Sequence, residues 1–441
     1  KSLVSLNPAP YSPADIVRRR TTGFRSAGSL DGVAFLAGPA SGGGVSFFAF
    51  DGAAGTMLGQ PTTLGAAACA AETPPAAQLC PSGESVYTNV RMWAAANGSL
   101  YLGVGTISDG VEGGAVLRWM GDQADPYRFV EVGRLPADAA NMVLHTDGRI
   151  YITTWPTDVN PAGLYRSPVV PAAGLTGDDA TNPDWTTPLW LATRDGRPEH
   201  AGVPTYDPDM VTGFSTGGGA LVSYDGKIYF GTMHVPFLAA QRAQARHTLP
   251  SADLLRTALG THRSIALFEV AFPAGVPQVS MIVGEKFLPA YDAAASGYTI
   301  AYDDAHATGF SPRWAPSGFG NFFNTYTWAM TVFHDEAYVG TFDWSQLARV
   351  ELETLVLSSA QVVPEVKAAL LEALGPGLRR EGADLIRFSD DHVVYESVEG
   401  LGNNRNYGVR NMLTDGDTLW LGTANPMNLD PQGGWELIEM K

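Results

Sequence analysis

The chain has 441 residues, of which only 17% are charged, and its formal net charge is −17. This acidic balance excludes nucleic acid and anionic membranes as general partners, because both attract surfaces rich in Lys and Arg. The 50 Gly and 30 Pro are typical of many short strands joined by tight turns and exclude a mainly helical fold.

A short phrase recurs six times along the chain: an apolar, aromatic-rich strand that ends in small residues, most often Gly-Thr. The copies are Val33–Gly38, Ser99–Thr106, Arg149–Thr154, Lys227–Thr232, Glu336–Thr341 and Thr418–Thr423. Five of them follow Asp-Gly or Asn-Gly, the pairs that a type I′ turn favours, and His334-Asp335 stands at the sixth. Each copy is therefore predicted to be the second strand of a hairpin.

Third and fourth strands are predicted after several copies. They are Ala115–Trp119 with Phe129–Val132, Ile265–Val270 with Val279–Val283, and Asp384–Phe388 with Val393–Val398. Repeated four-stranded units predict an all-β fold, a single β-propeller domain over residues 1–441 with six blades, five or seven being the alternatives. The last copy has only one further strand, Trp435–Met440, so Ser2–Leu6 is expected to complete that blade and close the ring.

Two insertions lack the strand pattern. Phe237–His247 and Ser251–Leu259 are rich in Ala, Leu, Gln and Arg and predict short helices, and Pro364–Leu374 has apolar residues at helical spacing. Both insertions, at about 235–262 and 345–382, follow the second strand of adjacent blades, so we expect them to form a lid over one face. Padding, or contact with a protein partner, is the alternative.

Cys69 and Cys80 lie eleven residues apart in a stretch rich in Pro and Ala. We expect them to form a disulfide, which persists in an oxidising compartment, with two unrelated free thiols as the alternative. The chain begins at Lys1, as expected after removal of a signal peptide, and has no apolar run of the ~20 residues that a membrane span needs. The sequence therefore predicts a periplasmic or extracellular protein.

Three arginines occupy one repeat position. Counting back twelve residues from the glycine of each phrase, or from its counterpart, reaches the innermost strand at the predicted channel mouth: Arg25, Arg91, Asn141, Gly219, Trp328 and Arg410. Converging guanidinium groups in an acidic protein predict a site for a carboxylate, sulfate or phosphate. The alternative is that each Arg pairs with a local Asp or Glu, and a register slip of one residue would turn the side chains away.

Polar residues follow three second strands: His234, Asp343 and Asn425. His234 and Asp343 are predicted as a catalytic acid–base pair, because imidazole exchanges protons near neutral pH. A His that only stabilises its loop is the alternative. Asn425 and Asn141, together with Trp328 and Tyr407, are predicted to bind substrate, because carboxamides and flat rings suit sugars.

No metal or other cofactor is expected, because the chain has no His-x-His or His-Glu-x-x-His spacing. Asp207-Pro-Asp209 and Asp303-Asp304 are the candidates for a calcium site. There is also no Gly-x-Ser-x-Gly elbow, Walker loop or dinucleotide fingerprint.

From about residue 23 onward the repeats resemble those of secreted bacterial β-propellers, a resemblance that implies a fold and not a function. Sialidases are six-bladed propellers in which three arginines grip a substrate carboxylate, and Arg25, Arg91 and Arg410 resemble that triad by analogy only. The Ser-x-Asp-x-Gly-x-Thr-Trp boxes of sialidases are absent. Two functions are therefore expected: a hydrolase or lyase acting on an anionic small molecule or acidic saccharide, or alternatively a non-catalytic ligand-binding or assembly subunit at the cell surface.

Overall fold

A computed structural model describes residues 17–18, 21–40, 44–64, 86–108, 110–250, 253–348, 381–389, 392–426 and 434–441. These residues form mainly antiparallel β-sheet, which confirms the all-β prediction. The chain divides into two compact units, residues 1–191 with 195–203 and residues 192–194 with 204–441. The single closed ring and the number of its blades stay predictions.

The first unit contains three antiparallel sheets within the described residues. The first sheet consists of β1 (Ser26–Leu30), β2 (Val33–Pro39), β3 (Val45–Asp51) and β4 (Met57–Leu64). The second consists of β5 (Val86–Ala96), β6 (Ser99–Ser108), β7 (Val111–Trp119) and β8 (Phe129–Leu135). The strands of the third sheet that begin in this unit are β9 (Asp138–Leu144), β10 (Ile150–Trp155), β11 (Gly163–Arg166) and β12 (Trp190–Thr193), whose last two residues belong to the second unit.

The second unit repeats the antiparallel pattern. Its first strands are β13 (Thr205–Asp207), β14 (Thr216–Tyr224), β15 (Lys227–His234), β16 (Leu267–Ala271) and β17 (Gln278–Val283). A small hairpin follows, β18 (Ala290–Asp292) with β19 (Gly297–Thr299). The remaining strands are β20 (Asn324–Phe333), β21 (Glu336–Asp343), β22 (Leu385–Phe388), β23 (Val393–Ser397), β24 (Gly408–Asp415), β25 (Thr418–Ala424) and β26 (Leu437–Met440). The third and fourth strands predicted from the sequence are thus present as β7, β8, β16, β17, β22 and β23.

The α-helices among the described residues of the second unit are α1 (Met210–Gly213), α2 (Pro236–His247) and α3 (Leu254–Thr261). The last two lie where the first insertion predicts short helices, and α2 buries Ala239, Ala240 and Ala243. None of the helices in the described ranges is long and apolar enough to cross a membrane. Pro364–Leu374 in the second insertion, the Cys69 and Cys80 pair, and Ser2–Leu6 lie outside the described residues.

The hairpin turns follow the predicted chemistry at most copies. Both central residues have positive φ at Asp31-Gly32, Asn97-Gly98, Asp225-Gly226 and His334-Asp335, as a type I′ turn requires. At the other two copies only Gly148 and Gly416 have positive φ. In the second of these, Asp415 still pairs with Thr418, so the turn is centred one residue later than the sequence predicts.

The glycine of the repeated phrase is explained by close approach of the first strand of the next repeat. A Cβ atom on Gly231 would lie 2.2 Å from Cγ2 of Thr327, and one on Gly340 would lie 2.6 Å from Cβ of Val409. Any larger residue would therefore push neighbouring strands apart. The glycine is needed for packing rather than for catalysis.

The threonine of the phrase anchors the third strand of its own sheet. The hydroxyl oxygens of Thr232 and Thr341 accept the backbone N–H groups of Ala266 and Asp384 at 2.9 and 2.8 Å. Thr154 accepts the N–H of Gly163, and Thr423 that of Glu436, each at 2.9 Å. The recurrent Gly-Thr therefore has a structural role in both units.

Candidate functional site

Irregular pairing marks the repeat position that the sequence singles out. The ladder between β20 and β21 skips Trp328, and the ladder between β24 and β25 skips Arg410. In the first unit the ladder between β5 and β6 skips Arg91 and Met92. Such residues form β-bulges, which leave one residue unpaired and redirect its side chain.

At two copies the repeat position does not coincide with a β-bulge. Asn141 pairs with Thr153 in the regular ladder of β9 and β10, and the residue skipped there is Ala140. Arg25 precedes β1, and its N–H donates to the carbonyl of Ala37 at 2.8 Å. A fixed count of twelve therefore reaches a bulge at Arg91, Gly219, Trp328 and Arg410, but not at Arg25 or Asn141.

In the second unit, Tyr326, Trp328, Phe342, Tyr407 and Arg410 form what we call the arginine–tryptophan site. The guanidinium carbon of Arg410 lies 4.8 Å from the centre of the Trp328 ring. The rings of Trp328 and Phe342 form a T-shaped pair with 4.7 Å between their centres, and the centres of the Tyr407 and Phe342 rings are 5.3 Å apart. Phe342 is buried, whereas the other four residues are partly exposed. The site is thus an aromatic surface with one cation on it.

The backbone of Gly408 and the charge of Arg410 both influence the arrangement of this site. A Cβ atom on Gly408 would lie 2.1 Å from the Trp328 ring, so the indole rests on the glycine backbone. Burial raises the pKa of the Tyr407 phenol, an effect that the charge of Arg410 opposes. Tyr407 is therefore a neutral hydrogen-bond donor at physiological pH, and Arg410 is attracted to the negative face of the indole.

In the first unit, Arg91 repeats the stacking and has an ionic partner. Its guanidinium carbon lies 4.6 Å from the centre of the Trp155 ring, and its Nε lies 3.3 Å from Oδ2 of Asp138. Arg25 donates to Oδ1 of Asn89 at 3.0 Å, and Asn89 donates to the same Asp138 oxygen at 3.0 Å. Asp138 therefore joins Arg91 and Asn89 on β5 to β9, which is the pairing that the sequence offers as the alternative to an anion site. The convergence of these two arginines with Arg410 stays a prediction.

His234 lies at the end of β15 with its side chain fully buried. Its Nδ1 lies 3.2 Å from the hydroxyl of Thr216 on β14. Burial lowers the pKa of His234 well below its ordinary value, and the nearby His262 and Arg263 lower it further. The imidazole is therefore neutral at physiological pH, and its surroundings oppose uptake of a proton.

Asp343, at the end of β21, is also fully buried. Its Oδ2 accepts from Asn321 at 2.8 Å, and its Oδ1 accepts both the N–H of Ser345, at 2.7 Å, and the Ser345 hydroxyl. Its own N–H donates to the Tyr407 carbonyl at 2.7 Å. The carboxylate thus joins the loop after β21 to Asn321, which precedes β20, while the backbone N–H of Asp343 contacts the segment before β24.

Asn425 directly follows β25 and corresponds in the repeat to Asp343, the last residue of β21. Its Nδ2 donates to Oδ1 of Asn406 at 3.1 Å, and its Oδ1 accepts the N–H of Gly434 at 2.7 Å. Its side chain is buried. Like Asp343, it secures a loop.

The calcium candidates have protein partners instead. Arg263 donates to both carboxylate oxygens of Asp207, at 2.8 and 3.2 Å, and both side chains are about 2% exposed or less. Asp209 accepts the N–H of Thr212 at 2.8 Å, and Asp303 lies 2.6 Å from Nδ1 of His306. No group of three or more potential metal ligands occurs in the part of the chain that the structure describes. Sequence reasoning missed this buried ion pair, although a lone Arg beside the apolar run of β16 is a signal for one.

Sequence reasoning also missed a pattern that two loops share. We call residues 318–324 and 400–406 the first and second asparagine loops; both have the pattern Gly-x-Gly-Asn-x-x-Asn. In each, the last Asn donates to the carbonyl of the first Gly at 3.0 Å and to a carboxylate at 2.7 Å. Aligning the two copies on their Gly-Thr phrases would have revealed the pattern.

Comparisons with known proteins give a likeness of fold only. No family model matches the chain, and no curated protein matches it. A Trypanosoma rangeli sialidase is 9% identical with a TM-score of 0.39; the match covers 95% of this chain and 54% of the sialidase. The β-propeller domain of the trilobed protease from Pyrococcus furiosus is 5% identical with a TM-score of 0.36, covering 96% and 82%. The PQQ-bound aldose sugar dehydrogenase from Streptomyces coelicolor is 12% identical with a TM-score of 0.36, covering 95% and 96%. The chain is thus similar, at low identity, to β-propeller proteins of several activities.

Proposed function

We propose that the protein binds the acidic group of a small molecule or saccharide at the arginine–tryptophan site. The observation that carries this proposal is the stacking of Arg410 on Trp328, two partly exposed residues that lie at bulges in β24 and β20. A guanidinium presents paired N–H donors that fit a carboxylate, sulfate or phosphate. The neighbouring aromatic rings offer apolar faces to the rest of the ligand.

A second pair of the same kind supports this proposal. In the first unit Arg91 stacks on Trp155 in the same way, and we propose that it also contacts an anionic group. There the carboxylate of Asp138 is a competing anion 3.3 Å from Nε of Arg91. Arg25, Asn141 and Asn425 are the remaining proposed contacts, of which Asn141 and Asn425 are buried.

Hydrolysis or elimination of the bound ligand, with His234 and Asp343 moving protons, is the catalytic form of the hypothesis. The burial of both side chains and the low pKa of His234 support binding without catalysis instead. A secreted location and a disulfide between Cys69 and Cys80 also remain proposals. Both proposals are compatible with saccharide binding, but neither requires it.

The test is calorimetric titration with glucuronic acid, N-acetylneuraminic acid and trigalacturonic acid, with glucose as the uncharged probe. We expect at least one acid to bind and Arg410→Ala to weaken it about 10-fold to 100-fold, the range for hydrogen bonds to a charged group. Arg410→Lys should restore part of the loss. Arg128→Ala, which removes an exposed arginine from the first unit, is the matched control and should bind as the wild type does.

Two results would overturn the proposal: no binding of any of the three acids at millimolar concentration, or unchanged binding by Arg410→Ala. Product analysis in the same samples addresses catalysis separately. New reducing ends or unsaturated products that disappear in His234→Gln and Asp343→Asn, but not in Arg128→Ala, would establish the catalytic form. Binding without products would establish the non-catalytic one.

A further inference from the structure

The two asparagine loops have the same backbone role but different surroundings. In the first loop Asn321 donates to Asp343 and Asn324 donates to Asp384, and both carboxylates are fully buried. In the second loop the residues at these two carboxylate positions are Asn425 and Glu436. One carboxylate has therefore been replaced by an amide, and the other has been lengthened by a methylene group.

This exchange brings a carboxylate to the surface. Without an Asp at position 425, Asn403 donates instead to Oε1 of Glu436 at 2.8 Å, while Asn406 donates to Oε2 at 2.7 Å. Two amide donors hold the Glu436 carboxylate in one orientation, and the residue is only partly buried. The second loop also carries a more polar side chain than the first, because Asn404 stands where the first loop has Phe322.

A groove of about 810 Å³ opens beside the second loop. Its lining includes Ser397, Glu399, Asn403, Asn404 and Glu436. This volume is within the usual range for small-molecule sites, about 300 to 1,000 Å³. Val398 is the one apolar side chain in the lining that the structure describes, and no Lys or Arg is among those residues.

The polar groups of the groove combine acceptors with donors. The carboxylates of Glu399 and Glu436 only accept, whereas the exposed Asn404 amide and the Ser397 hydroxyl can also donate. The backbone of Asn404 is held by Gln346, whose Nε2 donates to its carbonyl, and the Ser397 oxygen accepts the N–H of Leu401 at 3.0 Å. The two carboxylates repel an anionic ligand. A ligand hydroxyl group, in contrast, can donate a hydrogen bond to the carboxylates and accept one from Asn404 or Ser397.

We propose that this groove binds the hydroxyl groups of an uncharged saccharide. The described lining of the groove shares no residue with the arginine–tryptophan site and carries the opposite charge. The first asparagine loop lacks this chemistry, because its carboxylates are buried and its equivalent side chain is Phe322. The proposal does not depend on acid binding at Arg410.

The test is calorimetric titration with three uncharged probes, maltohexaose, cellohexaose and xylohexaose, and with the cationic probe spermidine. At least one hexaose should bind. Asn404→Ala and Glu399→Gln should each weaken it about threefold to tenfold, the effect expected of one hydrogen bond. Glu112→Gln, an exposed carboxylate of the first unit, is the matched control and should bind as the wild type does.

Hydrogen exchange gives a second readout that does not depend on the variants. The bound hexaose should slow exchange of the amides of residues 402–404 in the wild-type protein. Binding of spermidine without any hexaose, hexaose binding that both variants retain, or no protection of residues 402–404 would each overturn the proposal. Because the hexaoses carry no acidic group, these outcomes are separate from failure of acid binding at Arg410.

Discussion

Arg410 on β24 and Trp328 on β20 meet at bulges in the first strands of successive repeats, with the guanidinium carbon 4.8 Å from the centre of the indole. Both residues stand twelve positions before the glycine of a repeated phrase. The glycine lets neighbouring strands approach closely, and the bulge redirects the side chain that stands opposite it. The contact between cation and ring is thus a direct consequence of the repeat.

Gly408→Ala should disturb the arginine–tryptophan site. The new methyl group would lie 2.1 Å from the Trp328 ring, so the indole must move. Overpacking of this kind costs about 1 to 3 kcal/mol. We expect that loss in chemical denaturation, together with a changed tryptophan fluorescence spectrum of the folded protein. Gly23→Ala is the control, because a Cβ atom there has no neighbour within 4 Å, and equal stability of the two variants would contradict the packing described.

Asp207→Asn should destabilise the second unit strongly. It removes the charge that faces the buried guanidinium of Arg263 at 2.8 Å. Removal of one partner from a buried ion pair costs about 3 to 5 kcal/mol. Urea unfolding of wild type and variant measures the difference. Asp303→Asn alters a carboxylate that is 57% exposed and should change stability by no more than about 0.5 kcal/mol; a similar loss in both variants would count against the buried pair.

Stability should fall on mild acidification because of His234 and His262. Burial lowers the pKa of both imidazoles, that of His262 to about 4, from an ordinary value of 6.5. Between these values the unfolded chain binds protons that the folded chain does not, so the free energy of unfolding decreases as pH drops from about 6.5 to about 4. Urea unfolding over this range should show a shallower slope for His262→Gln than for the wild type. The control Thr56→Val, which alters an exposed residue without a titratable group, should retain the wild-type slope, and identical slopes for all three proteins would refute the assignment.

Thr341→Val should reveal the structural value of the threonine in the phrase. The substitution keeps the side-chain shape but removes the hydroxyl that accepts the N–H of Asp384 at 2.8 Å and donates to Asn324 at 2.9 Å. An unsatisfied buried group costs about 1 to 3 kcal/mol. Thermal and urea unfolding should show that loss, and Thr56→Val, at an exposed residue, should not. If Thr341→Val is as stable as the wild type, the anchoring role is wrong.

The strand pattern was predictable because its signals are local. Alternating apolar residues and Asp-Gly or Asn-Gly turns determine β-hairpins within about a dozen residues, and Ala-rich composition indicated α2 and α3. The predictions were wrong where the result depends on a shift of one residue in the strand register. At Asp415 the turn shifts because that residue remains in the ladder, and at Asn141 the bulge falls on Ala140.

The candidate site was only partly predictable, because side-chain roles depend on burial. Arg410 and Trp328 were found together, since a repeat position carries over from one hairpin to the next. The acid–base role predicted for His234 took no account of its burial, because a histidine that follows a strand has the same sequence signal whether it is exposed or buried. The Asp207 and Arg263 pair was missed because 56 residues separate its partners.

The amino-acid sequence by itself determined the β-hairpins, the Gly-Thr phrase and the repeat position of Arg91, Trp328 and Arg410. Turn propensity and alternation act between residues close in the chain, so these features need no knowledge of packing. Only the tertiary structure decided that Arg410 lies on Trp328, that His234 is neutral, and that Glu436 reaches a groove while Asp384 is buried. Desolvation and contact between distant strands determine those properties, and both depend on which surfaces the folded chain brings together.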